Sequence, residues 1–183
     1  MSSTSGRMPM LPWTSSLLEA VRERVRFDSY WNARLAQFPS LEQSVHLGVF
    51  VEPFLGFVLD GRKRVESRFS TTRRAPFRSV SSGDVLLLKR SSGPVLAIAE
   101  ITASWDYELD DGAWQVIKTR FGPLLCVEDP EFWRSKASSC FATLMQLDQV
   151  RCFPPVTCPK RDRRGWVVIQ PTAAQRPLLD LGL

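Results

Sequence analysis

Between Ser15 and Phe38, Leu18, Val21 and Val25, then Phe27, Trp31, Leu35 and Phe38, recur at three- and four-residue intervals, which is helical spacing. The apolar face shifts around Phe27 and Ser29, so the pattern predicts two helices with Asp28 or Ser29 as the cap between them. Val45 to Val51 is apolar and β-branched and predicts a strand. Glu52 to Leu59 predicts a short helix, with Pro53 tolerated in its first turn and Gly61 free to take the left-handed closing conformation. Arg64 to Phe69 alternates as a strand does, placing Arg64, Glu66 and Arg68 on one face and Val65, Ser67 and Phe69 on the other.

Thr71 to Ser82 reads as a polar, Arg-rich loop ending in a turn at Ser81-Ser82-Gly83-Asp84. Two apolar strands follow, Val85 to Lys89 and Val95 to Thr102, joined as a hairpin by Ser91-Ser92-Gly93-Pro94. Ala113 to Phe121 predicts a helix started by Asp110 or Asp111, and Pro130 to Ala137 another, capped by Asp129. Part of Cys140 to Cys152, and Trp166 to Ile169, predict the last strands, separated by a Pro154-Pro155 loop and a basic run. Five or six closely spaced strands with short helices between them predict an α+β fold: a small, partly open, mixed β-barrel with helices packed at its ends.

The chain of 183 residues is 44% apolar, enough for one compact domain with an extension. Residues 1–13 read as a Ser/Gly/Pro-rich flexible tail, residues 14–43 as a helical extension and residues 44–183 as the barrel domain. The longest apolar stretch, Leu47 to Leu59, is broken by Gly48, Glu52, Pro53 and Gly56 and falls short of the roughly 20 residues that span a bilayer, so no membrane partner is expected. The N-terminus lacks the apolar core of a secretory signal. The spacing of Cys126, Cys140, Cys152 and Cys158 matches neither a zinc site nor a disulfide framework, so reduced thiols in a cytoplasm are expected. A single histidine, His46, removes multi-histidine metal sites and marks a half-buried strand position rather than a triad base. No metal or cofactor is expected.

Charge adds direction. Arg62, Lys63, Arg64, Arg68, Arg73, Arg74 and Arg78 lie within Gly61 to Arg78 against the single Glu66, and Lys160, Arg161, Arg163 and Arg164 surround Asp162. These two basic segments on a mildly acidic body suit a polyanion met on one face, and guanidinium forks match phosphate oxygens better than ammonium does. Both segments are therefore candidate nucleic-acid-binding residues.

Gly61-Arg62-Lys63-Arg64-Val65-Glu66-Ser67-Arg68 fits G-x-K-x-x-E-x-R and resembles the signature of the ASCH domain, a PUA-like β-barrel. A short apolar helix before the motif, Pro76-Phe77-Arg78 and Gly83-Asp84-Val85 after it, and the Gly93 hairpin fall in that family's order, over about residues 44 to 170. The resemblance implies a cleft with the motif on its floor that serves nucleic acid, usually RNA. Relatives of that family include coactivator domains, a ribonuclease and an amidohydrolase acting on acetylated cytidine, so the family name does not select a function.

Within that frame Lys63, Glu66 and Arg68 form a candidate catalytic set: a carboxylate to move a proton and two cations to hold phosphate or developing charge. Glu66 and Arg68, two apart on one strand face, are also within reach of an ion pair that fixes both. Glu100 is a possible second carboxylate, and Phe69, Phe77, Trp105 and Tyr107 are candidates for stacking on bases. The leading expectation is a binder of RNA or other single-stranded nucleic acid, alone or with weak metal-independent ribonuclease activity. One alternative is the amidohydrolase on a modified nucleoside, for which Glu66 stands where the pattern has Thr. The other is a protein-interaction module using the N-terminal helical stripe. Oligomeric state is not read from the sequence.

Overall fold

The computed structural model describes residues 12–37 and 43–172. Helices α1 (Pro12–Val25) and α2 (Ser29–Ala36) break where the pattern shifts, because the Asp28 carboxylate accepts the Trp31 backbone N–H at 2.9 Å and starts a new helix. Helix α1 thus begins inside the segment read as a flexible tail; the rest of that tail and Phe38 lie outside the described residues. Leu17, Val21, Val25, Trp31 and Leu35 are buried against Val45, Leu47, Val85, Leu87 and Ile98 of the sheet. The apolar stripe of the extension is therefore core, with Leu18 partly buried and Phe27, 87% exposed, standing outside it.

The strands are β1 (Val45–Phe50), β2 (Val65–Ser70), β3 (Asp84–Arg90), β4 (Val95–Glu108), β5 (Phe141–Val156) and β6 (Trp166–Gln170). They form one six-stranded sheet in the order β2-β5-β4-β3-β1-β6, with β1 parallel to β3 and every other pairing antiparallel. The outer strands β2 and β6 are not paired with each other. Arg68 of β2 nevertheless donates to the carbonyl of Gly165, just before β6, at 3.2 Å, so the sheet curls into a half-barrel with a gap between its edges. Central strands are apolar on both faces: Val85 and Leu87 meet the N-terminal helices, while Leu86 and Leu88 join Phe50, Leu55, Val58 and Met145 inside the curl.

The remaining helices are α3 (Phe54–Leu59), α4 (Asp111–Val116), α5 (Gly122–Leu125) and α6 (Pro130–Ser135), with a π-helical turn over Ile117–Phe121 between α4 and α5. α3 seats Leu55 and Val58 in the core inside the curl, whereas the later helices cover the outer side of β2 and β5, where Val65, Ile117, Phe121, Leu125 and Leu144 make a separate core. The single helix expected over Ala113 to Phe121 is thus an α turn, capped by Asp110, that widens into a π turn.

Two strands are longer than their patterns. β4 runs past Thr102 to Glu108, because Ala103 to Glu108 pairs with Phe141 to Gln146. β5 runs through Pro154-Pro155, since the register passes from Ala97 opposite Cys152 to Val95 opposite Val156 and a bulge absorbs the prolines. Among the described residues no helix is long and apolar enough to cross a membrane.

Candidate nucleic-acid cleft

The G-x-K-x-x-E-x-R segment begins where α3 ends. Gly61 takes φ +80°, and a Cβ there would meet nothing within 4 Å, so the glycine serves the backbone turn rather than a close approach. Lys63 then points inward: its ammonium donates to the Val65 carbonyl at 2.6 Å and pairs with Glu66 Oε2 at 3.2 Å. Glu66 Oε1 pairs on its other side with Arg68 Nε at 2.9 Å. The Lys63 and Glu66 side chains are only 3% and 8% exposed, against 19% for Arg68. One buried carboxylate is thus clasped between two cations. Arg68 also lies over the rings of Phe50 (4.9 Å) and Trp166 (5.4 Å), which, with Gly165, hold its guanidinium across the gap in the half-barrel.

Arg68 is the member of the motif that reaches a cleft of about 640 Å³. Four guanidiniums line this cleft, from Arg68, Arg74, Arg163 and Arg164, together with the rings of Phe77, Phe141 and Trp166. The β2–β5 register sets Arg68 opposite Thr143 and Ser70 opposite Phe141, so these residues share a floor. Thr143 donates to Asp106 at 2.6 Å, and the Phe77 and Phe141 centroids lie 5.0 Å apart.

Trp166 is braced from behind. Its indole N–H donates to His46 Nδ1 at 3.2 Å, which leaves the His46 proton on Nε2 to donate to Asp84 at 3.0 Å. Asp84 also accepts the backbone N–H groups of Ser44 (2.7 Å) and Ser81 (2.8 Å). His46 is fully buried, not half-buried, and it serves the wall of the cleft.

The remaining candidates divide by environment. Arg73 and Arg78 share Glu108 at 2.9 and 3.3 Å, tying the arginine loop to the end of β4. Arg62 pairs with Asp60 at 2.6 Å, and its hydrogen bond holds that carboxyl below the usual carboxylate range. Hydrogen bonds from Arg164 and then Lys160 hold the Asp162 carboxyl well below its ordinary value, and the Lys160 side chain is turned inward, 3% exposed. Arg64, Arg74, Arg161 and Arg163 are exposed and make no ion pair among the described residues. Glu100 lies away from the cleft, under α2, where it receives the Tyr30 hydroxyl and pairs with Arg34 at 3.6 Å. Phe69 borders the cleft, but its ring is stacked on Trp114. Trp105 and Tyr107 pack around Phe121; Phe77 is the stacking candidate that lines the cleft, but it is itself buried, 7% exposed, against the half-buried Phe141. Among the described residues no cluster of three or more His, Cys, Asp or Glu could hold a metal ion.

No family model and no curated protein matches the sequence. In structure the chain is similar to the crystal structure of ASCH from Zymomonas mobilis, with a TM-score of 0.56 and 14% identity over 75% of this chain and 95% of that one. Two single-residue variants of that protein, one Ser to Ala and one Tyr to Phe, match with the same TM-score and identity. The chain has the ASCH fold. In this example of it, the edge strands and the arginine loop enclose the cleft, and the helical extension that buries its stripe on the sheet sits on the face opposite the inner core.

Proposed function

We propose that this chain binds single-stranded RNA, or another single-stranded nucleic acid, in the cleft with little sequence preference. The observation that carries the reading is the convergence of Arg68, Arg74, Arg163 and Arg164 on a cleft walled by Phe77, Phe141 and Trp166. Guanidinium forks hold phosphate oxygens, and each base stacked on a ring contributes about 1–3 kcal/mol whatever its identity. Rings inside a cleft take bases already out of a helix, which favours single strands over duplex.

Binding is favoured over turnover by the state of the motif. Lys63 and Glu66 are screened behind Arg68, and Glu66 would have to leave two cations to carry a proton. The amidohydrolase reading gains nothing from this geometry. The protein-interaction reading loses its stripe to the core.

The test is a titration of labelled single-stranded RNA, single-stranded DNA and duplex RNA at 50 mM salt, with products and deacetylation of acetylated cytidine scored separately. Saturable binding of the single strands without product is expected. Equal binding of duplex, or none of any strand, overturns the reading.

A further inference from the structure

On the side of β2 away from the cleft, α4, the π-helical turn and α6 surround a second depression, lined by Asp111, Trp114, Lys118, Thr119, Trp133 and Ala137 among others. Its walls are two indole rings meeting at 88° with centroids 6.4 Å apart. Each is fixed from behind: Trp114 lies flat on Phe69 (5.4 Å, 6°), and Trp133 meets Phe132 at 89°. The Lys118 ammonium stands over both, 5.8 Å from one centroid and 5.9 Å from the other. The chain therefore places its own cation in the corner between two π faces. Lys118 is exposed, makes no ion pair among the described residues, and is carried by the π turn, a backbone form frequent at functional sites.

We propose that this two-tryptophan corner is a binding site for a methylated ammonium group, of the kind carried by choline and by trimethyllysine, and that Lys118 is its displaceable occupant. Aromatic faces attract any cation, but a primary ammonium keeps three N–H donors that want acceptors and is strongly hydrated. It sits here at the outer limit of a cation–π contact, about 6 Å. A trimethylammonium group has no N–H to satisfy, sheds its hydration more readily and fills a right-angled corner with methyl groups against both rings. The Asp111 carboxylate borders the depression and complements the charge. The rings are held without Lys118, so the ligand meets a site already formed. Phe69, which backs Trp114, also borders the cleft, but no residue lining this depression lines the cleft, so the proposal does not rest on the nucleic-acid reading.

The test uses the full chain and follows tryptophan fluorescence and the indole N–H resonances. Choline, a trimethyllysine peptide and the neutral isostere of choline, with carbon in place of the quaternary nitrogen, are titrated in turn. Saturable shifts of the Trp114 and Trp133 signals with choline or the peptide are expected, with the isostere at least tenfold weaker; whichever of the two binds tighter names the source of the group. Lys118→Ala, an exposed position, is expected to tighten binding several-fold, and Trp133→Phe, which keeps a ring in the packing, to weaken it. The proposal is overturned if neither cation binds, if the isostere binds as well as choline, or if Lys118→Ala leaves the affinity unchanged.

Discussion

Glu66 holds together two cations from its own segment, Lys63 three residues before it and Arg68 two after it. Its pairing with Arg68 is legible from their spacing on one strand face, but the third partner is not: Lys63 reads as a cation for phosphate or developing charge, whereas its chain turns inward to the Val65 carbonyl and Glu66. Trp166 and His46, 120 residues apart, meet only because β1 and β6 pair, and no local pattern announces such a contact. Replacing Glu66 by Gln leaves the buried Lys63 ammonium and the half-buried Arg68 guanidinium facing a neutral amide. Glu66→Gln is therefore expected to lower unfolding stability by about 3 kcal/mol, as loss of one partner from a buried pair does, measured by denaturant unfolding. An unchanged midpoint would mean that the clasp is not structural.

On α2, the Tyr30 hydroxyl donates to the Glu100 carboxylate. Burial first, and then its hydrogen bond to the charge of Glu100, push its hydroxyl up to about 12. A folded-state value raised above the unfolded one gives a contribution fully present below about pH 10 and lost as pH rises through about 12. The phenolate absorbance of the folded protein should show a late step near pH 12 that is missing from Tyr30→Phe.

At the scale of elements, the parts with strong periodicity were readable: the two N-terminal helices, the cap at Asp28, and the alternation of β2. The parts that escaped were set by pairing. Ala103 to Glu108 carries mixed polar residues and becomes strand only because Phe141 to Gln146 lies beside it. The π turn likewise escapes the pattern, because Ile117 and Phe121, four residues apart, would share one buried face in an uninterrupted α-helix as well. The arginine loop shows the same divide. Its charge was plain, but which arginines are held by the protein itself is decided by Glu108. Arg74 lines the cleft without an ion pair among the described residues, while Arg73 is committed to that carboxylate. Arg74→Ala is thus expected to weaken RNA binding several-fold and Arg73→Ala markedly less, with melting of both within about 0.5 kcal/mol of the parent, since these are exposed loop positions. Equal losses in a fluorescence anisotropy titration would show that the loop acts through bulk charge.

For the whole molecule, the sequence displayed a mixed barrel, a motif and two basic segments, all of them local. What it could not display was their convergence, because the cleft exists only once β2 and β6 curl toward each other and bring Arg68 and Arg74 alongside Arg163 and Arg164. On the proposed reading these four guanidiniums replace counterions on one strand of nucleic acid, Arg74 and Arg163 from no ion pair among the described residues and Arg68 and Arg164 while still paired with Glu66 and Asp162. Each phosphate contact to a single strand adds about −0.7 to the slope of log affinity against log salt, so four give about −2.8 and roughly a fiftyfold loss between 50 and 200 mM. The decisive measurement is that slope for the native chain and for the Arg74→Ala/Arg163→Ala double variant, one arginine from each basic segment. The slope is expected to fall to about −1.4 in the double variant, with folding intact. A slope unchanged by removal of both arginines would contradict the proposed reading and place the bound strand elsewhere on the surface.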